Sequence, residues 1–158
     1  MVPVFELDEI NRDILDILQE EARLSYRELG ERVGLSAPAV AERVRKLEDA
    51  DVIRGYRAIV NYPELGFPIQ CIIRLNSPGD SSIVDEIVQN IPEVIEANRV
   101  TGSESHVIRA FVRSTAHLED LLHQLWKTGD SITNIVTSSP VSRRSMNLTR
   151  TGAGTSTD

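Results

Sequence analysis

Apolar residues recur at helical spacing in the first part of the chain. Within positions 8–20 they lie three or four residues apart, at Ile10, Ile14, Ile17 and Leu18. This spacing predicts an amphipathic helix that buries one face. Asp8 stands just before this helix and can accept a hydrogen bond from its free amides as an N-cap.

Two more helices are predicted between residues 25 and 50. Residues 25–28 read Ser-Tyr-Arg-Glu, a capping box in which the serine hydroxyl and the glutamate carboxylate accept from free amides at a helix start. Gly34 can end this helix in the left-handed conformation, and Ser36 can cap the next one at 37–50. Gly30 supplies a small residue where these two helices approach closely. Three helices with a short turn before the last predict a helix-turn-helix.

The period of the apolar positions changes after residue 51. Residues 52–61 alternate around Gly55 in the manner of a strand, and residues 61–68 are rich in turn-forming residues. The elements expected beyond them are a strand at 69–75, a helix at 81–90, strands at 94–100 and 106–113, a helix at 117–126 and a strand at 132–138. This βαββαβ order predicts an antiparallel sheet with both helices on one face.

The sheet of this second domain is expected to be apolar on both faces. Ile69, Cys71 and Ile73 alternate onto one face of its first strand. Ile72 is apolar on the other face. Because the helices cover only one face, the other needs a partner, and the pattern predicts dimerisation through this domain.

The composition is that of an ordinary globular protein. The chain has 158 residues, of which 41% are hydrophobic and 26% charged, enough for one domain or two small ones. No apolar run approaches the roughly 20 residues of a membrane helix and the first residues do not resemble a signal peptide, so we expect a cytoplasmic protein. The single cysteine, Cys71, lies in the apolar run IQCIIRL, which favours an inert buried thiol and excludes disulfides and cysteine-based metal sites.

The charge balance limits how the chain can bind nucleic acid. With 17 basic and 24 acidic side chains the formal net charge is -7, which argues against a protein that coats DNA or an anionic membrane indiscriminately. A local cationic patch is present, however. Residues 36–46 contain Arg43, Arg45 and Lys46 against the single acid Glu42.

The outward face of the helix at 37–50 is a candidate DNA-contacting surface. Val40, Val44 and Leu47 point to the core, so the small residues at the helix start and the cations further along face outward. Small residues let the backbone approach base edges, Ala39 suits a thymine methyl group, and cations reach guanine edges or phosphates. The predicted contact set consists of three phosphate candidates, Arg27, Arg54 and Arg57, together with Ser36, Pro38, Ala39, Glu42, Arg43, Arg45 and Lys46.

Two alternatives stay open from the residues alone. The charged face can be merely solvated, as on many capped helices. Glu42 can accept a hydrogen bond from a cytosine amino group, or it can pair with Lys46 four residues on.

The sequence resembles a known family of transcription regulators. The stretch at 7–67, LDEINRDILDILQEEARLSYRELGERVGLSAPAVAERVRKLEDADVIRGYRAIVNYPELGF, and PEVIEANRVTG at 92–102 closely resemble the Lrp/AsnC family of bacterial and archaeal regulators. The resemblance implies an α+β fold, in which a winged helix-turn-helix domain is joined by a strand linker to a βαββαβ ferredoxin-like (RAM/ACT-like) domain. We therefore assign residues 1–54 to the DNA-binding domain, 55–66 to the linker strand and turn, 67–141 to dimerisation and effector sensing, and 142–158 to a polar tail.

The family resemblance also implies how the protein works. The helix at 37–50 enters the major groove, and a symmetric dimer presents two such helices to a pseudo-palindromic site. Family members often assemble into octamers and sense a small molecule such as an amino acid. We expect double-stranded DNA, a second copy of the chain and a small-molecule effector as partners, and no cofactor, metal or membrane.

The turn between the two central strands is the effector site that the resemblance implies. Many family members carry Gly-Asp-x-Asp there, whereas this chain has Gly102-Ser103-Glu104-Ser105. A serine hydroxyl can hydrogen-bond an ammonium group but supplies no opposite charge. Glu104 either replaces that charge from within the pocket or is a solvated turn residue. The expected effector residues are Thr101, Gly102, Ser103, Glu104 and Ser105.

Two other functions are compatible with the same architecture. The architecture also resembles that of sirohaem decarboxylases, which use histidine, and this chain has His106, His117 and His123. His117 and His123 are six residues apart, so they do not share a helix face as an i, i+4 metal pair would. The sequence shows no acid-base pair, phosphate loop or nucleophile elbow, so we expect no catalytic residues. An architectural DNA-binding protein without an effector is the other alternative.

Overall fold

A computed structural model describes residues 7–142 and 144–148 of the chain. The contacts between residues group them into two units. The N-terminal unit contains the described residues up to Ile59 together with those between Val141 and Leu148, and the C-terminal unit contains Val60–Pro140. No helix in the described ranges has the length and apolar character that crossing a bilayer requires.

Three capped helices form the N-terminal unit: α1 (Glu9–Glu20), α2 (Tyr26–Val33) and α3 (Ala37–Asp49). The predicted caps are confirmed. Asp8 Oδ1 accepts from the N–H of Asn11 at 2.7 Å, and Ser36 Oγ accepts from the first turn of α3 at 3.4 Å. In the capping box, the N–H of Ser25 donates to Glu28 Oε2 at 2.9 Å and the N–H of Glu28 donates to Ser25 Oγ at 3.2 Å.

The turn between α2 and α3 depends on two glycines. Gly34 ends α2 with a φ of 70°, in the left-handed region. Gly30 faces the turn so closely that a Cβ there would lie 2.5 Å from the carbonyl oxygen of Leu35. This close approach, which the sequence predicted, lets α3 pack on the other helices around the buried residues Ile14, Leu15, Leu29, Val40, Val44 and Leu47.

The predicted linker strand is not formed. Residues 52–61 contain no strand, and no wing of strands occurs in the described part of the N-terminal unit. Val52 and Ile53 instead donate their N–H groups to the carbonyl oxygen of Leu47, at 2.9 and 3.0 Å, and pack on the helical core. These two apolar residues therefore pack at the end of α3. A strand also needs a hydrogen-bonded neighbouring strand, and the described chain has none beside this segment.

The far end of the described chain returns to the N-terminal unit. The N–H of Leu148 donates to Asp16 Oδ1 at 2.9 Å, and Gln19 Nε2 donates to the carbonyl oxygen of Met146 at 3.2 Å. Leu148 also packs against the core of the three helices. Part of the predicted polar tail is thus attached to α1, and residues 149–158 lie outside the described residues.

The C-terminal unit has the predicted βαββαβ order. After a 3₁₀ turn at Pro63–Leu65, its elements are β1 (Ile69–Asn76), α4 (Ser81–Gln89), β2 (Val94–Arg99), β3 (His106–Val112), α5 (Thr115–Leu125) and β4 (Asp130–Ile135). The strands form one antiparallel sheet in the order β2-β3-β1-β4. Its central strand β1 places Ile72 opposite Arg109 of β3 and Asn134 of β4.

Both helices pack on one face of this sheet. Cys71, Ile73 and Leu75 of β1 are fully buried on that face and form one cluster with apolar residues of α4, β3 and α5. Ile72 and Val107 point to the opposite face, where they stay half-buried and no helix of this unit covers them. The structure therefore has the one-sided helix layer that the sequence predicted.

Candidate nucleic-acid interface and effector turn

The outward side of α3 carries most of the predicted DNA-contacting residues. Val40, Val44 and Leu47 are buried, as expected. The residues on the other side are exposed or half-buried, namely Ser36, Pro38, Ala39, Glu42, Arg43, Arg45 and Lys46. Ser36 caps the helix and Pro38 stands in its first turn. The start of α3 therefore presents small side chains, past which the backbone can approach base edges.

Glu42 lies at the centre of the charged part of α3. Its two carboxylate oxygens are each 2.8 Å from Arg45 NH2, and Lys46 Nζ is 3.7 Å from Oε1. The hydrogen bond with Arg45 lowers the pKa of Glu42 and raises that of Arg45. Of the two roles considered for Glu42, pairing within the helix is the one present in the free chain, with Arg45 closer than Lys46.

Arg43 connects α3 to the start of α1. Its NH1 group donates to Asp8 Oδ2 at 2.7 Å and to Asn11 Oδ1 at 2.9 Å, and its side chain is only 31% exposed. The hydrogen bond from Arg43 is the main reason why the pKa of Asp8 is lowered. The N-cap of α1 thus also fixes a side chain of α3, a link that the sequence alone did not suggest because the two residues are far apart along the chain.

The three phosphate candidates lie outside α3. Arg27 lies in the first turn of α2 and is exposed, and Arg57 is exposed in the segment that follows Ile53. Arg54 is also exposed and has its Nε 3.5 Å from Asp51 Oδ2. All three belong to the N-terminal unit, so the structure brings the whole predicted DNA-contacting set into the same unit as α3.

Ser105 of the effector turn faces the interior of the C-terminal unit. Its N–H donates to the carbonyl oxygen of Leu75 at 2.8 Å, and its Oγ donates to the same oxygen at 3.1 Å. Its Oγ also accepts from the N–H of Ser77 at 3.0 Å. The hydroxyl that replaces an aspartate of many family members therefore ties the turn to the end of β1.

Glu104 pairs with a residue that the sequence analysis did not include. Arg74 of β1 has its NH1 3.4 Å from Glu104 Oε1, and Ser103 Oγ donates to Glu104 Oε2 at 2.7 Å. The bond from Ser103 and the charge of Arg74 lower the pKa of Glu104. Arg74 Nε is buried without a partner in the described chain. A lone charge in the apolar run IQCIIRL was the signal that could have identified Arg74.

The remaining turn residues keep the backbone exposed. Thr101, Gly102 and Ser103 are all exposed. Gly102 has a φ of 121°, a conformation that side-chain-bearing residues rarely adopt. The exposed turn therefore lies beside the Arg74–Glu104 pair, which brings one positive and one negative group together.

Each histidine has its own local partner. Buried His106 places Nδ1 2.9 Å from Ser105 Oγ and Nε2 3.2 Å from Asp85 Oδ1. His117 accepts the N–H of Arg113 at 3.2 Å and contacts Glu93 Oε1 at 3.0 Å, while the ring of His123 packs edge-on against Trp126. No three side chains of His, Cys, Asp or Glu converge on a metal position within the described ranges.

Comparisons with known proteins match both units. The model of the AsnC-type helix-turn-helix domain matches residues 7–48, and that of the Lrp/AsnC ligand binding domain matches residues 70–146. The HTH-type transcriptional regulator LrpC of Bacillus subtilis is 30% identical over 83% of this chain and 92% of its own. The leucine-responsive regulatory protein of Rhizobium meliloti is 38% identical over 77% of this chain and 81% of its own.

A solved structure extends the likeness to three dimensions. The transcriptional regulator NMB0573 of Neisseria meningitidis, solved as its L-Met complex, superposes with a TM-score of 0.81 at 27% identity and covers 87% of this chain and 94% of its own. The matched helix-turn-helix contains α1, α2 and most of α3, and the matched ligand-binding domain contains all four strands except for Ile69 at the start of β1. The chain therefore belongs to the Lrp/AsnC family of helix-turn-helix transcription regulators.

Proposed function

We propose that this chain is a sequence-specific transcription regulator whose α3 enters the major groove. The observation that carries the proposal is the two-sided character of α3. One side is buried in a capped helix-turn-helix, and the other begins with small side chains and continues with Arg45 and Lys46. That sequence of residue types suits close approach to bases followed by contacts to guanine edges or phosphates. Such a regulator acts on DNA in the cytoplasm.

The DNA-binding form is proposed to be a dimer or a larger assembly, up to the octamers that are common in the family. The uncovered sheet face supports this step, because Ile72, Val107 and Phe111 point to it and remain only half-buried in one chain. Apolar area of this kind is usually buried against another surface. A twofold dimer then offers one α3 to each half of a pseudo-palindromic site, about one helical turn of 34 to 36 Å or a multiple of it apart.

The effector is proposed to be an amino acid or a similar small metabolite that binds at the turn of residues 101–105. Arg74 can hold a carboxylate and Glu104 an ammonium group, so the pair matches the two charges of an amino acid. The L-Met complex of the Neisseria relative gives the same class of ligand in that protein. Ligand binding alters DNA occupancy only if the assembly that binds DNA and the assembly that does not differ in their affinity for the ligand.

A competition experiment tests this function. The chain is allowed to select duplexes from a random pool, and the selected duplex then competes with an excess of random DNA for the purified protein. We expect the selected duplex to be retained against a random competitor in excess by a factor of roughly 1,000 or more. Equal competition would point to the architectural alternative, and a tetrapyrrole absorption band without DNA binding would point to the enzyme. The separate local partners of the three histidines support regulation over catalysis.

A further inference from the structure

The helix α3 carries as many acids as bases. Its charged residues are Glu42, Arg43, Arg45, Lys46, Glu48 and Asp49. A duplex presents two rows of negative phosphates, so exposed carboxylates on this helix weaken its attraction to any DNA. A helix that served only to attract DNA would not be balanced in this way. An exposed carboxylate on such a helix can discriminate between DNA complexes by disfavouring some of them.

Glu42 is the carboxylate with the most contacts to the cations of α3. Arg45 approaches it through two groups, NH2 at 2.8 Å and Nε at 3.2 Å, and Lys46 lies 3.7 Å away. A guanidinium held by two of its groups has a fixed plane. Among the described residues, the remaining group, Arg45 NH1, has one long contact of 3.4 Å, with Asp49. Glu42 therefore sets the direction in which Arg45 NH1 points.

We propose that Glu42 is a specificity-determining residue of the DNA-binding surface, an inference that rests on the proposed function. In a complex held by phosphates alone, the carboxylate of Glu42 lies near the phosphates, and any cation that turns fully to a phosphate leaves its charge unpaired. In a complex with the correct base, NH1 reaches the base edge while Arg45 stays paired. Glu42 thus weakens complexes held by phosphate contacts alone more than it weakens the complex with the correct base.

The test compares Glu42→Gln with wild type in the full-length chain. Glutamine keeps the size of the side chain and its helix propensity but removes the charge. Affinity is measured by fluorescence anisotropy over a range of KCl concentrations, for a random-sequence duplex and for a duplex that wild type has enriched from the same pool. Glu119→Gln on α5 is the matched control, because it changes the net charge equally at an exposed position of the C-terminal unit.

The random duplex should bind Glu42→Gln about fivefold more tightly per contacting helix, with a steeper dependence on KCl. The affinity for the enriched duplex should increase less or decrease. The ratio of the affinity for the enriched duplex to that for the random duplex should therefore fall. Glu119→Gln should leave that ratio unchanged. Circular dichroism should be the same for all three proteins, because both substituted residues are exposed.

Two outcomes overturn the inference and separate it from the proposed function. If Glu42→Gln changes both affinities equally, or behaves like Glu119→Gln, while wild type still prefers its enriched duplex, only the role of Glu42 is wrong. If wild type enriches no sequence, or retains no DNA at all, the proposed function and the role of Glu42 both fail.

Discussion

At the scale of single residues, the cations of α3 fall into two groups. Arg43 is partly buried and donates to both Asp8 and Asn11 on α1. Lys46 is 64% exposed and has one long contact with Glu42. The first contact pattern holds two helices together, and the second leaves the ammonium group available to a phosphate. The two residues should therefore respond differently to truncation, although both carry a positive charge.

Replacement of each cation by alanine separates the two roles. Arg43→Ala should lower the free energy of unfolding by about 1 kcal/mol, because it removes two charge-assisted hydrogen bonds that are partly exposed. Lys46→Ala should change that free energy by less than about 0.5 kcal/mol. It should also reduce the number of counterions released on DNA binding, read from the slope of log affinity against log salt concentration, by about one. Urea denaturation and anisotropy titrations measure the two effects. Equal losses of stability in both variants would contradict this division.

The contact between Arg43 and Asp8 should also appear as a pH dependence. The hydrogen bond lowers the pKa of Asp8 below its ordinary 3.8. The folded chain therefore takes up this proton less readily than the unfolded chain does. The stabilisation is complete above the unfolded pKa and is lost as the pH falls through the lower folded value.

Asp8→Asn should accordingly weaken the decrease of the free energy of unfolding at acidic pH. Urea denaturation between about pH 6 and pH 2 should show wild type losing more stability than the variant, since asparagine still caps a helix but does not titrate. Arg43→Ala should remove most of the same difference, because it removes the cause of the shift. If the free energy of unfolding of wild type and of Asp8→Asn depends on pH in the same way, the contact between Asp8 and Arg43 does not contribute to that dependence.

At the scale of elements, the turn of the helix-turn-helix depends on the absence of a side chain at Gly30. A Cβ there would lie 2.5 Å from the carbonyl oxygen of Leu35, which is backbone and cannot move without displacing the turn. Gly30→Ala should lower the free energy of unfolding by about 1 to 3 kcal/mol. DNA affinity should also fall, because α3 starts just after this turn.

Gly79→Ala is the matched control for this substitution. A Cβ at Gly79 meets no atom within 4 Å, so the same change of residue type should be almost neutral there. Chemical denaturation of both variants gives the comparison. A Gly30→Ala protein as stable as Gly79→Ala would mean that the two helices do not need their close contact.

The elements also show how far the sequence determines the structure. The start of each N-terminal helix was predictable because Asp8, Ser25 and Ser36 satisfy free amides only a few residues away. The βαββαβ order followed from a change in apolar period. The strand predicted at 52–61 is absent from the described chain, where Val52 and Ile53 pack at the end of α3 and the segment has no neighbouring strand to pair with.

The candidate sites divide in a similar way. The exposed side of α3 followed from helical periodicity, which is a local property. The partners of its side chains did not, since Arg43 meets Asp8 and Glu104 meets Arg74 only after the chain folds. The hydrogen bonds of Ser105 with the carbonyl oxygen of Leu75 and the N–H of Ser77 were not predicted either. Contacts between distant positions are what a single sequence does not supply.

At the scale of the whole molecule, the uncovered sheet face should decide the assembly. Ile72→Asp replaces apolar area by a carboxylate in the middle of that face and should convert the dimer to monomers, because burying a charge in an interface costs desolvation free energy. DNA affinity should fall as well, since the two half-sites would no longer be bound by linked helices. Light scattering after gel filtration reports the mass.

Ile83→Asp provides the control for this substitution. Ile83 belongs to α4 and is 55% exposed, so the same change there stays outside the proposed interface. The mass of this variant should equal that of wild type. If Ile72→Asp keeps the mass of the wild-type assembly, the subunits associate through another surface.

The attachment of Leu148 to α1 has a practical meaning for work with this protein. The leucine side chain lines a cavity of about 600 Å³ together with Leu15, Leu18 and Tyr56, so the DNA-binding unit is assembled from two stretches separated by the entire sheet domain. A fragment that ends at Ile59 would leave the apolar side chains of this cavity exposed and would tend to aggregate during purification. Anyone wishing to express the helix-turn-helix by itself should therefore graft the 144–148 peptide back on through a flexible spacer.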